Sequence, residues 1–179
     1  NITFQRNKLL SLSGMYNGEM LSAPEYKSLA GLDGAGFHGG YNHIVYQMVG
    51  QPLGVFYLPH STGLESDGNG GYTYGIADLN GGGVSLEDGE DRYVAGQAVP
   101  KTILGSNISF RYKRFDLSLQ VNGAFGHKIY NGTSLTYMNM NIFPDYNVMK
   151  KAPKQNIKDQ TATDYWLEKG DYVNFDYVT

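Results

Sequence analysis

The stretch from Lys101 to Phe125, KTILGSNISFRYKRFDLSLQVNGAF, reads as one β-hairpin with a different chemistry on each face. In its second arm Phe115, Leu117, Leu119, Val121 and Phe125 fall on one side. Asp116, Ser118, Gln120, Asn122 and Ala124 fall on the other, which is the period of two that a strand imposes. With Lys113 and Arg114 as the turn, Tyr112 stands opposite Phe115, Phe110 opposite Leu117 and Ile108 opposite Leu119, so the apolar faces of the two arms coincide. The same register sets Arg111 against Asp116, Ser109 against Ser118 and Asn107 against Gln120. A slip of one residue would undo every one of these pairs.

Such a hairpin has two physical homes. It can belong to a soluble sheet that buries one face on a core, or to a membrane barrel whose apolar face meets lipid and whose polar face meets a watery lumen. The ten steps from Phe115 to Phe125 span roughly 33 Å along the strand, or about 25 Å of height once tilted as barrel strands are. That matches the apolar band of an outer membrane. Aromatic residues also stand at both ends, Tyr112 and Phe115 beside the turn and Phe125 and Tyr130 at the far end, as interfacial girdles do. Aromatic-ended strands also occur in sandwiches, so alternation by itself leaves both homes open.

Composition narrows the field. The chain has 179 residues and a net charge of -3, enough for one domain with a core or for part of something larger. No basic excess points to nucleic acid, and no run of eighteen apolar residues points to a membrane helix. A membrane role would therefore be a barrel's. The 15 Tyr, 8 Phe and 24 Gly, with a mean hydropathy of -0.38, predict an all-β chain with long polar loops and little helix. With no Cys there is neither a disulfide nor thiolate chemistry. The alternation is already running at Asn1-Ile2-Thr3-Phe4 and continues at the other end, where Val173, Phe175 and Tyr177 alternate with Asn174 and Asp176. This pattern predicts a piece of a longer protein, without a signal peptide of its own.

Residues 1–8 read as a strand end. Residues 9–99 read as a long loop region, in which 17 of the 24 glycines lie between Gly31 and Gly96. Within it His43 to Met48, Val55 to Leu58 and Tyr72 to Ile76 are the predicted short strands. Residues 100–126 form the hairpin. A second excursion covers 127–163, with a Met-rich segment from Tyr137 to Phe143 that packs under its own loop, then a short helix through Tyr146 to Lys151 ended by Pro153. Residues 164–179 open the next strand, with Tyr165 and Trp166 where an aromatic belt would start. Loops of this length are unusual in a compact soluble domain and ordinary between barrel strands.

The sharpest local motif is Asp78-Leu79-Asn80-Gly81-Gly82-Gly83, which has side-chain oxygens at positions one and three and a glycine at six, like the opening of a calcium loop. Asp78, Asn80 and Asp88 are its candidate ligands, and calcium is the only cofactor it suggests. Gly82 and Gly89 occupy two positions where a complete loop has acids or amides, and a tight turn flanked by solvated acids is the plainer reading. His38, His43, His60 and His127 lack zinc-like spacing. No nucleophile elbow, phosphate loop or metalloprotease signature occurs, so no enzymatic activity is expected. Asn131-Gly132-Thr133 fits a glycosylation acceptor, a frequent pattern with meaning only in a eukaryotic secretory setting.

Taken in order, several segments resemble the C-terminal part of SusC/RagA-type TonB-dependent outer-membrane transporters. The most specific are Tyr112-Lys113-Arg114-Phe115-Asp116-Leu117-Ser118 and the run from Gly123 to Gly132, GAFGHKIYNG. Gly50 to Tyr57, Asp91-Arg92-Tyr93 with Gly96 and Pro100-Lys101, and Asp164 to Gly170 support them. The chain departs from that pattern at Gly82, where the family often has Asp, and at Leu58-Pro59, where Gly-Tyr is usual. The resemblance implies a transmembrane barrel of about 22 antiparallel strands with a plugged lumen in a bacterial outer membrane. It further implies import of oligosaccharides or peptides, a SusD-like lipoprotein as surface partner, and TonB as energy source through a part not contained in these residues. Lys113-Arg114 would then be a periplasmic turn, with 9–99 and 127–163 extracellular. The rival expectation is a soluble Gly- and Tyr-rich carbohydrate-binding module that stacks sugars on exposed aromatics.

Overall fold

The computed structural model describes residues 1–32, 43–87 and 90–178. Its strands are β1 Ile2–Phe4, β2 Gly14–Tyr16, β3 Glu19–Leu21, β4 Tyr26–Gly31, β5 His43–Met48, β6 Val55–Pro59 and β7 Ser61–Ser66. They continue as β8 Tyr72–Ile76, β9 Arg92–Gln97, β10 Thr102–Tyr112, β11 Phe115–Phe125, β12 Lys128–Tyr130, β13 Leu167–Lys169 and β14 Tyr172–Val178. The helices α1 Gly132–Tyr137 and α2 Ala152–Gln155 are short, so the chain is all-β with little helix, as its composition predicts. No described helix is long and apolar enough to cross a membrane.

The hairpin β10–β11 is the spine of a four-stranded antiparallel sheet in the order β1-β10-β11-β14. All six pairs read from the sequence are present, from Tyr112 with Phe115 to Asn107 with Gln120. The two-residue turn is closed by a left-handed Lys113, φ 53°, whose ammonium lies 5.2 Å from the Tyr112 ring centre. β1 adds Ile2 beside Leu104 and Phe4 beside Thr102, extending the apolar face across a third strand. The sheet is open, with β1 and β14 at its edges.

β14 corrects one expectation. Its pairing with β11 shifts at Gln120 and Val121, so Phe175 faces Val121 while Tyr177 faces Gln120. The extra residue is a bulge, and it moves Tyr177 from the apolar to the polar face. Asp176 is held there by the carboxamide nitrogens of Asn122 (2.6 Å) and Asn174 (2.8 Å).

The chain's two packed clusters lie away from this sheet, largely in the predicted short strands of 9–99 and in the region 127–163. A second sheet, β4-β5-β6-β9, is centred on β6, every residue of which is buried. Strand alternation sends Phe56 and Leu58 into a cluster with Ile44, Tyr74, Leu135, Ile157 and Ala162, and Val55 and Tyr57 into a second with Tyr46. The predicted strands at 43–48 and 72–76 have these bounds, and β6 runs one residue further, to Pro59. The region 127–163 folds against the first cluster. There α1 is capped by Asn131, whose Oδ1 accepts from the Ser134 amide at 2.9 Å. Of the Met-rich segment, Met138 is buried as expected, whereas Phe143 is exposed. The helix expected over Tyr146 to Lys151 is absent; α2 starts at Ala152 with Pro153 in its first turn, where the missing N–H has no intrahelical partner to lose. Trp166, expected in an aromatic belt, packs against the core and donates its Nε1 proton to Tyr74 Oη at 2.7 Å.

Candidate functional site

The first feature with functional content is the two-faced sheet. On its apolar face Phe115 is 75% exposed, Phe110 59%, Ile108 50% and Leu117 44%, and Ile2, Phe4, Val173 and Phe175 extend the same exposure across the outer strands. An apolar row of this length, not covered by the described residues, calls for lipid or protein against it. The opposite face carries the Arg111–Asp116 pair and the Asn122, Asn174 and Asp176 network, exposed except for the half-buried Asn122. Both sides stand free of the core, so the alternation here does not separate a packed face from a wet one.

The acidic turn is ordered by its own amides. Asp78 accepts from the amides of Gly81 (2.6 Å) and Gly83 (3.1 Å), and Asn80 Oδ1 accepts from Gly82 (2.7 Å). Asn80 Nδ2 donates to Glu90 Oε2. Its anchor is Asp91, buried, whose two oxygens accept from Leu79 (2.7 Å) and Ser85 (2.8 Å). The Ser85 and Leu79 amides hold its carboxyl below the usual range. Asp88 lies outside the described residues. Among those described, no three His, Cys, Asp or Glu side chains stand close enough to share a metal ion. Asp78 and Asn80 thus sit together, but with their oxygens turned to backbone donors. Asp67 builds a similar turn between β7 and β8, accepting from Asn69 and Gly71.

A third feature joins distant segments. Asp164 accepts a hydrogen bond from the Tyr93 hydroxyl at 2.6 Å, meets His60 Nδ1 at 2.8 Å and accepts from the Ser61 amide at 2.6 Å. Burial, then the Asp164 carboxylate, pushes the Tyr93 hydroxyl up to about 12. Beside this clasp, Tyr165 packs on Tyr74 (5.2 Å between ring centres) and on Trp166 (5.0 Å). His60 reads from sequence as an ordinary loop histidine, because its partner is 104 residues away and leaves no local signal. His43 and His127 show no zinc-type grouping among the described residues, and His38 lies outside them.

No protein-family model matches the chain. It is 28% identical over 145 residues to TonB-dependent receptor P3 of Formosa agariphila, a match that covers 69% of this chain and 14% of that receptor. The chain is thus related to a TonB-dependent receptor and spans about one seventh of the relative's length.

Proposed function

We propose that these residues form part of the wall and outer mouth of a TonB-dependent transporter of the SusC/RagA type in a bacterial outer membrane. The observation that carries this reading is the four-stranded sheet whose apolar face stays exposed while the packed core lies in the connecting segments. In a barrel that face meets hydrocarbon, the polar face lines the lumen and the short Lys113-Arg114 turn faces the periplasm. The layer built from 9–99 and 127–163 then stands outside the cell, where cargo arrives.

Its cargo is an oligosaccharide or peptide, delivered with a SusD-like lipoprotein and imported at the expense of energy relayed by TonB, without a reaction catalysed by this chain. The relation to a TonB-dependent receptor supports the transport class; the resemblance in GAFGHKIYNG and its neighbours supports the narrower family. A soluble glycan-binding module would need the hairpin's apolar face against a core, and the two clusters are elsewhere. Fractionation of cells making the intact protein tests the reading. It is expected in the outer membrane and to require detergent for release; recovery in the soluble phase without detergent would refute it.

A further inference from the structure

Lys101, Lys128 and Lys169 converge on a cleft of about 390 Å³ where the open end of the hairpin meets the β6–β9 edge of the second sheet. Glycines make room for two of them. Gly126, at φ 77°, lies so close to the Lys101 stem that a Cβ there would sit 3.0 to 3.2 Å from three of its carbons. A Cβ on Gly96 would come within 2.6 Å of Lys128 Cγ. Both lysines are therefore laid into the cleft by packing. An adjoining cleft of about 620 Å³ shares Pro52, Gln97 and Lys101 and adds Arg6 and Lys8.

Charge in this trough runs against the chain's net charge of -3. The acid at its wall, Asp171, has Oδ1 engaged by the Gly126 amide at 2.6 Å. Among the described residues none of the five cations has a carboxylate within ion-pair distance. His127 lines the same cleft with its Nδ1 buried and without a partner there. Gln51 stands at the rim, and Gln97 donates to the Val99 carbonyl at 2.6 Å, leaving its oxygen to accept from a ligand hydroxyl. Lys101 immediately precedes Thr102, so by alternation it stands on the polar side at the open end of the hairpin, while the adjoining cleft also reaches Phe4 and Thr102 at the edge of the apolar face.

We infer that this trough binds an anionic oligosaccharide, with carboxylate or sulfate groups on the lysines and sugar hydroxyls on Gln51 and Gln97. As a selector of imported cargo it rests on the transport reading; as a binding site it rests on this geometry. Clustered unpaired cations in a partly enclosed cleft attract anions in a salt-dependent way.

The test is calorimetric titration of the intact protein in detergent with hexagalacturonate, a sulfated hexasaccharide, neutral maltohexaose and hexaglutamate. The two anionic sugars are expected to bind, more weakly as salt rises. Lys101→Gln, Lys128→Gln and Lys169→Gln together should weaken them about tenfold or more, while the matching arginine variant retains binding. Should the triple variant not assemble, Lys169→Gln alone, at an exposed position, should cost about twofold to threefold. No binding of either anionic sugar, or equal binding by wild type and the glutamine variants, would overturn the proposal. Tighter binding of hexaglutamate, or of vesicles bearing phosphorylated glycolipid, would overturn the oligosaccharide assignment. Uptake is measured separately: lysine-dependent binding with undiminished import in cells lacking the protein would refute transport and leave the site standing.

Discussion

Replacing Leu119 by Arg should destabilise the intact barrel far more than the same change one residue on, at Gln120. Leu119 faces Ile108 on one side and Val178 on the other, all on the apolar face. It lies four steps from Phe115, about 13 Å along the strand, or about 10 Å of height after tilt, near the middle of an apolar band about 25 Å tall. An arginine at that depth costs about 2 to 4 kcal/mol, because its charge must reach water past hydrocarbon. That is roughly a 30- to 700-fold fall in the folded-to-unfolded ratio. Gln120 faces Asn107 and Tyr177 on the polar side, where an added guanidinium stays hydrated and should change stability by within about 0.5 kcal/mol. Urea titration of the intact protein refolded into phosphatidylcholine vesicles, followed by tryptophan fluorescence and heat-dependent gel mobility, measures both. Equal penalties at the two positions, or a larger one at Gln120, would refute the assignment of faces.

Tyr74→Phe removes the acceptor of the Trp166 indole proton and should cost about 1 kcal/mol with a shift in Trp166 emission; an unchanged spectrum would mean that the pair does not form in solution. Asp91 has a folded-state pKa below its ordinary 3.8, so its contribution is complete above that value and is lost as pH falls through the lower folded one. Hydrogen exchange at the Leu79 and Ser85 amides should accordingly quicken only below about pH 3.8. The same exchange at Gly81 and Gly83, measured with calcium and with chelator, should not differ, since the oxygens of Asp78 are already turned to those amides; calcium-dependent protection would revive the ion-binding loop.

The hairpin was legible because a period of two, a two-residue turn and complementary polar pairs all specify one register, and nothing distant is needed to fix it. The strands at 43–48 and 72–76 were legible for a similar reason, being short β-branched and aromatic runs between turn residues. The bulge that carries Tyr177 to the polar face was not, because strict alternation contains no sign of an inserted residue. Nor was the clasp of His60, Tyr93 and Asp164, or the meeting of Lys101, Lys128 and Lys169, since each draws on segments far apart in the chain. The start of α1 could have been read from Asn131, a good N-cap three residues before Ser134. No helix forms over 146–151, and Pro153 does not stop one there: it sits in the first turn of α2, where a proline fits equally well.

The central claim is that one face of this sheet meets lipid, and stability alone cannot separate lipid from a protein core. Spin labels placed singly from Leu117 to Val121 in the intact protein, in bilayers, make that distinction through their collision rates with oxygen and with a water-soluble nickel chelate. The account predicts high oxygen and low nickel accessibility at Leu117, Leu119 and Val121, and the reverse or mutual exclusion by a plug at Ser118 and Gln120. Immobilised labels at Leu117 and Leu119, inaccessible to both reagents, would place protein against that face and contradict it.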